Sequence, residues 1–435
     1  MKAMATLAMA MVMAPTSGVA PAQPVPSTDP VPADVQVLSG TLPGGGRWHA
    51  MVSGHWNGTL LVWGRGYEPQ AALPDPAPAG LRDTLLARGY ALLASDYASG
   101  GWSLAQAVPA QRAAIAAFAA QHGAPRRTIA WGASMGSLVT IALAEQTRGG
   151  PDRIDGAMAL CPSIGGAVGM MNMALDGAFA FRTLQAPGDG IVLTGVADDA
   201  ANSMRVRDAV KAAMATPQGR ARLALAGVLG GMPGWTAPDQ PEPRADDADA
   251  QAANIAATFA MAVFPPRHDQ ETRAGGAFSW NTQVSYPRQL ALSGRRAFVA
   301  KLYAQAGLNL DADLARLDAA PRIPAKPAAV AYMMQHYTPD ARPRVPVVSL
   351  QAEGDGITSP SLQQAYVDAA RPAMVKGLWY RGAGHCRFPP EALLGALSTL
   401  EARLDRARWV VPKGPFVAHR PAPMLRPCLR GKPCR

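Results

Sequence analysis

From about residue 57 the chain alternates between short, continuously apolar runs and longer stretches in which apolar positions recur every three or four residues. The runs at 59–63, 90–95, 128–131 and 154–161 predict strands, and the stretches at 81–88, 109–121 and 135–144 predict helices between them. A strand apolar at every position is covered on both faces. Strict strand–helix alternation predicts a parallel sheet joined by helical crossovers. The alternation stops near 162 and resumes near 344, with strands at 345–350 and 377–380 and helices at 361–370 and 390–403. Between these two blocks the pattern is helical, at 202–214, 218–229, 250–263 and 286–306, with shorter pieces near 310–317 and 328–337. It shows little strand alternation there. Residues 236–249 carry three prolines and several acids and read as an exposed loop.

The sharpest chemical signal lies at one strand-to-helix junction. Gly132-Ala133-Ser134-Met135-Gly136 follows an apolar run and opens an alanine- and leucine-rich one. The two glycines let the strand and helix backbones cross closely, which leaves Ser134 exposed at the apex as a candidate nucleophile. The amide that follows, on Met135, sits where a helix collects partial positive charge.

A nucleophilic serine needs a base, and the base an orienting acid. Of seven histidines, only His385 follows a strand on a glycine-rich loop, Arg381-Gly382-Ala383-Gly384. His49 and His55 lie near the N-terminal strands, His122 at a helix end, His268 and His336 in the helical middle, and His419 in the tail. Asp355, in a Gly-Asp-Gly turn after the strand at 345–350, precedes His385 by 30 residues, room for one helix and one strand. Glu353 beside it, Asp189 in a second Gly-Asp-Gly, Asp198 and Asp199 remain rival acids. Asp189 precedes its apolar run instead of following it.

These residues resemble the α/β-hydrolase superfamily, in which the order along the chain is Ser, Asp or Glu, His. The resemblance covers about residues 57–162 and 344–406 and implies a mostly parallel sheet flanked by helices. It also implies an oxyanion hole built from two backbone amides. One follows the nucleophile, here on Met135. The other comes from a loop after an early strand that often carries His-Gly. That loop here reads Gly64-Arg65-Gly66-Tyr67, so Arg65 replaces the histidine and the Tyr67 amide is the candidate donor. The long segment between Ser134 and Asp355 falls where the superfamily inserts helical caps. The expected organisation is therefore a signal peptide at 1–22, a hydrolase core at 23–162, a helical cap at 163–342, the rest of the core at 343–410, and a tail at 411–435.

Composition narrows the compartment and the partners. Charged residues make up 17% and hydrophobic ones 49% of 435, enough for a sizeable core. Lys2 followed by an apolar stretch at 3–14 and Ala20-Pro21-Ala22 read as a secretory signal, too short to span a membrane. A proline-rich leader at 24–32 follows. This predicts a secreted or periplasmic protein with no transmembrane segment. Four cysteines suit an oxidising compartment. Cys161 with Cys386, both at the carboxyl edge of the sheet, and Cys428 with Cys434 are the pairings favoured over free buried thiols. No cysteine or histidine spacing fits zinc, and no cofactor is called for. The net charge of +10 is concentrated in the tail, which carries Lys413, Arg420, Arg426, Arg430, Lys432 and Arg435 without an acid. It reads as a solvated tail that could contact an anionic surface. Basic residues elsewhere are interspersed with acids, so no nucleic-acid platform is expected. The expected activity is an exported serine hydrolase cleaving a small-molecule or polymeric carboxylic ester. A peptidase or amidase with the same machinery stays open, and a non-catalytic binding protein is disfavoured by the intact Ser134, Asp355 and His385.

Overall fold

The structure is a computed structural model that describes residues 34–78 and 80–434. The expected signal peptide and proline-rich leader lie outside the described residues.

Eight strands form one sheet. They are β1 (Gln36–Thr41), β2 (Arg47–Val52), β3 (Thr59–Gly64), β4 (Ala91–Ser95), β5 (Arg127–Ala133), β6 (Gly156–Leu160), β7 (Val347–Gly354) and β8 (Val375–Ala383). Their spatial order is β1-β2-β4-β3-β5-β6-β7-β8. β2 runs antiparallel to both neighbours, and β4 through β8 pair in parallel. Side chains alternate across the sheet. Leu60, Val62, Ala130 and Ala159 face one core, closed by α2 (Leu104–His122), α3 (Met135–Gln146) and α13 (Pro360–Ala369). Leu61, Trp63, Trp131 and Met158 face a second core, closed by α1 (Arg82–Ala87) and α14 (Pro390–Arg406). Two apolar faces explain why these strands read as continuous runs.

Between β6 and β7 the described residues form nine helices. They are α4 (Ala167–Leu184), α5 (Asp199–Met214), α6 (Pro217–Leu229), α7 (Ala248–Val263), α8 (His268–Ala274), α9 (Tyr286–Leu292), α10 (Arg296–Gln305), α11 (Leu310–Ala319) and α12 (Pro327–Tyr337). They bury a core of their own around Phe181, Leu225, Phe259 and Tyr303. α12, through Met333 and Tyr337, joins the sheet-side core instead.

The structure departs from the sequence pattern in four places. α2 starts at Leu104, a turn before Pro109, because Leu104, Ala107 and Val108 are buried and that burial outweighs one missing N–H. The stretch at 286–306 is two helices, broken where Gly294 takes φ +68°. α4 escaped the periodicity reading because it is buried on nearly every side and has no polar stripe. The tail is not a solvated strand of charge. Met424, Leu425, Cys428 and Leu429 are buried, and Arg426, 1% exposed, pairs with Asp176 of α4 at 2.8 Å. Arg430 and Arg420 pair with Glu145 and Asp368. Among the described residues no helix is long and apolar enough to cross a membrane.

Candidate active site

The turn after β5 has little freedom. A side chain at Gly132 would lie 2.6 Å from the Gly136 carbonyl oxygen, and one at Gly136 would run into the Gly64 carbonyl. Between them Ser134 adopts φ 55°, ψ −121°, a strained conformation for a non-glycine residue. Its carbonyl accepts hydrogen bonds from the hydroxyls of Ser137 and Ser163 (3.1 Å for Ser163). Ser163 N–H donates to Ser137 Oγ at 3.1 Å. These hydroxyls brace the strained turn from beneath and leave Ser134 Oγ free at its apex.

Ser134 Oγ lies 2.9 Å from His385 Nε2, and His385 Nδ1 lies 2.9 Å from Asp355 Oδ2. The order fixes the tautomer: Nδ1–H donates to the carboxylate, and Nε2 is left to accept from the serine hydroxyl. Asp355 follows β7 and is completely buried. Its Oδ1 accepts from the amides of Ile357 and Thr358, both at 2.9 Å, and its Oδ2 from Thr358 Oγ1 at 2.8 Å. These donors replace the water that a buried carboxylate loses. Thr358 was not among the residues singled out from sequence. Its hydroxyl touches Asp355, lies 3.3 Å from His385 Nδ1 and 3.0 Å from the Cys161 carbonyl. A threonine three residues beyond a turn aspartate was the one available signal, and it is a common turn pattern.

Cys161 is bonded to Cys386, the residue after His385. The bond ties the end of β6 to the loop that carries the imidazole. Cys428 is bonded to Cys434. Cys161, His385 and Cys386 form a three-ligand cluster, but the two sulfurs are joined and offer no thiolate to a metal.

The rival residues are engaged elsewhere. Glu353 meets His419 at 3.2 Å. Asp189 is exposed. Asp198 caps α5 through the Ala201 amide at 2.9 Å, and Asp199 accepts from Arg267 N–H at 2.9 Å. His49 contacts the Pro74 carbonyl, and burial holds its pKa below the usual value. His268 contacts the Val196 carbonyl, His122 packs on Trp56, and His336 packs on Tyr332. His55 is exposed.

The two candidate oxyanion donors flank Ser134. Met135 is the first residue of α3, so its N–H has no carbonyl four residues back within the helix. Gly66, the residue before Tyr67, comes close to the serine: an added Cβ would lie 3.7 Å from Ser134 Cβ. The Tyr67 ring packs on Trp102 at 5.3 Å.

The helical insertion reaches these loops. A side chain at Gly384 would meet Pro238, and one at Gly356 would meet Thr236 and Thr258. Asp269 of α8 accepts the Trp102 amide at 2.6 Å. A cavity of about 310 Å³ lies elsewhere, lined by Gly231, Arg295, Ser359 and His419, with neither Ser134 nor His385 in its wall.

A parallel sheet led by an antiparallel β2, with Ser134 after β5, Asp355 after β7 and His385 after β8, decides the architecture. The chain has the α/β-hydrolase fold. All three side chains lie beyond the carboxyl ends of parallel strands, where open sheets of this type place their ligands. No protein-family model matches the chain. It is similar to an o-phthalyl amidase of Xanthobacter agilis, 28% identical over 408 residues, covering 85% of this chain and 87% of that protein. Among solved structures it is similar to a puromycin hydrolase (14% identical, TM-score 0.38), with 90% of this chain covered. The chain spans 43% of that enzyme's length. It is also similar to lipase A of Candida antarctica (15% identical, TM-score 0.38), covering 87% of this chain and 78% of the lipase.

Proposed function

We propose that the protein is a serine hydrolase that cleaves a carboxylic ester or amide through an acyl-serine intermediate. The observation that carries this is the continuous hydrogen-bonded series from Ser134 Oγ through His385 to Asp355, 2.9 Å at each link. His385 Nε2 takes the serine proton as Oγ attacks the substrate carbonyl. Asp355 holds the ring and stabilises the imidazolium that forms. The amides of Met135 and Tyr67 receive the negative charge on the carbonyl oxygen. The imidazolium then returns the proton to the departing alcohol or amine. Water, giving its proton to Nε2, attacks the acyl group, and the imidazolium passes that proton to Ser134 Oγ as the acid departs. In this reading residues 163–342, whose Thr236, Pro238 and Thr258 come against the turns carrying Asp355 and His385, act as a cap and supply the contacts that choose the acyl group.

Ser134→Ala tests the core of the reading. It should lower kcat by about 10⁴–10⁶-fold in a protein that still folds, and activity within about tenfold of the parent would refute the assignment.

The sequence pattern points to an ester. Similarity to a protein named o-phthalyl amidase, across most of both chains, favours a second reading in which the bond is an amide. A 4-nitrophenyl ester and the 4-nitroanilide of the same acyl group separate the two by their kcat/KM values. Two disulfides support an exported protein, which N-terminal sequencing of the mature chain would test.

A further inference from the structure

Arg65 occupies an unusual environment for a cation. It is 3% exposed, yet among the described residues no carboxylate lies within ion-pair distance of it. Glu68 and Asp96 act on it only from beyond that distance, and Asp96 is held by Arg47 at 3.0 Å. Burying a guanidinium without an ion-pair partner is unfavourable. Its Nη1 donates to the Gly66 carbonyl at 3.1 Å and its Nη2 to the Ser99 carbonyl at 2.5 Å. Its face lies 4.6 Å from the centre of the Tyr97 ring, and Nε finds no acceptor. Two carbonyls and a ring are a poor exchange for water, so burial depresses its pKa.

What that charge touches is the informative point. Gly66 contributes the carbonyl half of the peptide whose other half is the Tyr67 amide. Across a trans peptide, C=O and N–H point in opposite directions. A donor that fixes the Gly66 oxygen therefore fixes the Tyr67 N–H, pointing it away from the guanidinium. A positive charge on the carbonyl side also polarises the peptide and strengthens its N–H as a donor. The second bond, to Ser99, anchors Arg65 to a backbone that is itself constrained. Tyr97 and Ala98 take φ 60° and 54°, and Arg273 of α8 holds the Gly100 carbonyl at 2.8 Å.

We propose that Arg65 is the positioning residue of the oxyanion hole, holding the Gly66–Tyr67 peptide so that the Tyr67 amide meets the developing oxyanion. This rests on the reading of Ser134 as nucleophile. It adds that the arginine standing where relatives of this fold often carry histidine acts from behind the loop, without touching substrate.

The test uses the full-length protein with Arg65→Met and Arg65→Lys, 4-nitrophenyl acetate as substrate and phenylboronic acid as inhibitor. The boronate adduct on Ser134 places an oxygen where the oxyanion forms. Losing a whole oxyanion donor lowers kcat about 10²–10³-fold, so a misaimed one should lower it about 10- to 100-fold. In Arg65→Met, kcat should fall in that range, KM should change by less than about threefold, and the boronate Ki should rise by the same factor as kcat falls. Arg65→Lys, which can reach one carbonyl but not two, should fall between Met and the parent. A folded Arg65→Met with parental kcat overturns the proposal. So does a loss of kcat with unchanged boronate affinity, which would mean a purely structural role. If Arg65→Met does not fold, Arg65→Lys decides on the same two readouts. Ser134→Ala is measured in parallel: if it stays active, the nucleophile assignment itself fails, whatever Arg65 does.

Discussion

Asp355 and Asp189 sit in the same tripeptide, Gly-Asp-Gly, and have opposite surroundings. Asp355 is buried, accepts two amides and a hydroxyl, and orients His385. Asp189 is exposed. Asp355→Asn keeps the shape but offers Nδ1 a donor in place of an acceptor, favouring the wrong imidazole tautomer. It should lower kcat by about 10⁴, while Asp189→Asn leaves it within about twofold. Steady-state kinetics on one activated ester checks both, and a crippling Asp189→Asn would mean that the acid is misassigned. The local signal that separated them was the order of strand and turn: β7 ends at Gly354 and releases Asp355 at the carboxyl edge. Thr358 was not legible in the same way. Its role depends on its hydroxyl meeting Asp355 and the Cys161 carbonyl, 197 residues away in the chain.

At the scale of elements, two links hold distant segments to the site. The Cys161–Cys386 bond closes a separation of 225 residues between the end of β6 and the loop after β8. Both cysteines have positive φ, 40° and 57°, conformations that the surroundings must enforce. Without the bond the loop can relax and carry His385 away from Ser134. Cys161→Ala with Cys386→Ala should lower stability by about 2–5 kcal/mol. It should also lower kcat by about 10- to 100-fold, because small misplacements of a catalytic group are costly. Urea unfolding and kinetics on the same preparation read both, and unchanged kcat would show that the bond does not hold the imidazole in place. The second link is Arg426 to Asp176, which fastens the tail to α4 at 2.8 Å with both side chains buried. Arg426→Met leaves a buried carboxylate without its cation and should destabilise the fold by about 3–5 kcal/mol. A loss under about 1 kcal/mol in urea unfolding would mean that the tail contributes little.

At the scale of the whole molecule, Glu145 joins the sheet core to the returning tail. It is buried at the end of α3 and accepts from the Ala341 amide at 2.9 Å and the Tyr366 hydroxyl at 3.1 Å. Arg430 approaches at 3.3 Å, and Asp340 lies beside that arginine at 3.8 Å. Burial, the largest influence, pushes the Glu145 carboxyl up to about 7, and the Asp340 charge adds to it. A carboxyl that binds its proton more tightly in the folded state stabilises the fold fully below its unfolded pKa of 4.5. That contribution is lost as pH rises toward about 7. The Tm of the parent relative to Glu145→Gln should therefore fall between about pH 4.5 and 7.5. A constant difference across that range would show that Glu145 does not titrate there.

The sequence by itself determined the sheet, because a strand covered on both faces must be apolar throughout and a glycine-flanked turn permits only a sharp strand-to-helix junction. It also marked Ser134, Asp355 and His385 as candidates, since each follows its own strand at the carboxyl edge and local pattern is enough to show that. α4 was hidden because complete burial erases the polar stripe by which a helix is recognised. The tail was misjudged because charge and proline dominate its composition, whereas its few apolar residues and Arg426 are spaced to fit surfaces supplied by α4 and α13. Only the tertiary structure decided that Arg65 is buried without an ion-pair partner, that Thr358 buttresses Asp355, and that Pro238 of the insertion comes against the loop carrying His385. Each depends on contacts between segments far apart in the chain. Such contacts leave no periodic trace in either partner, because the physical requirement is met by the pair and not by either sequence alone.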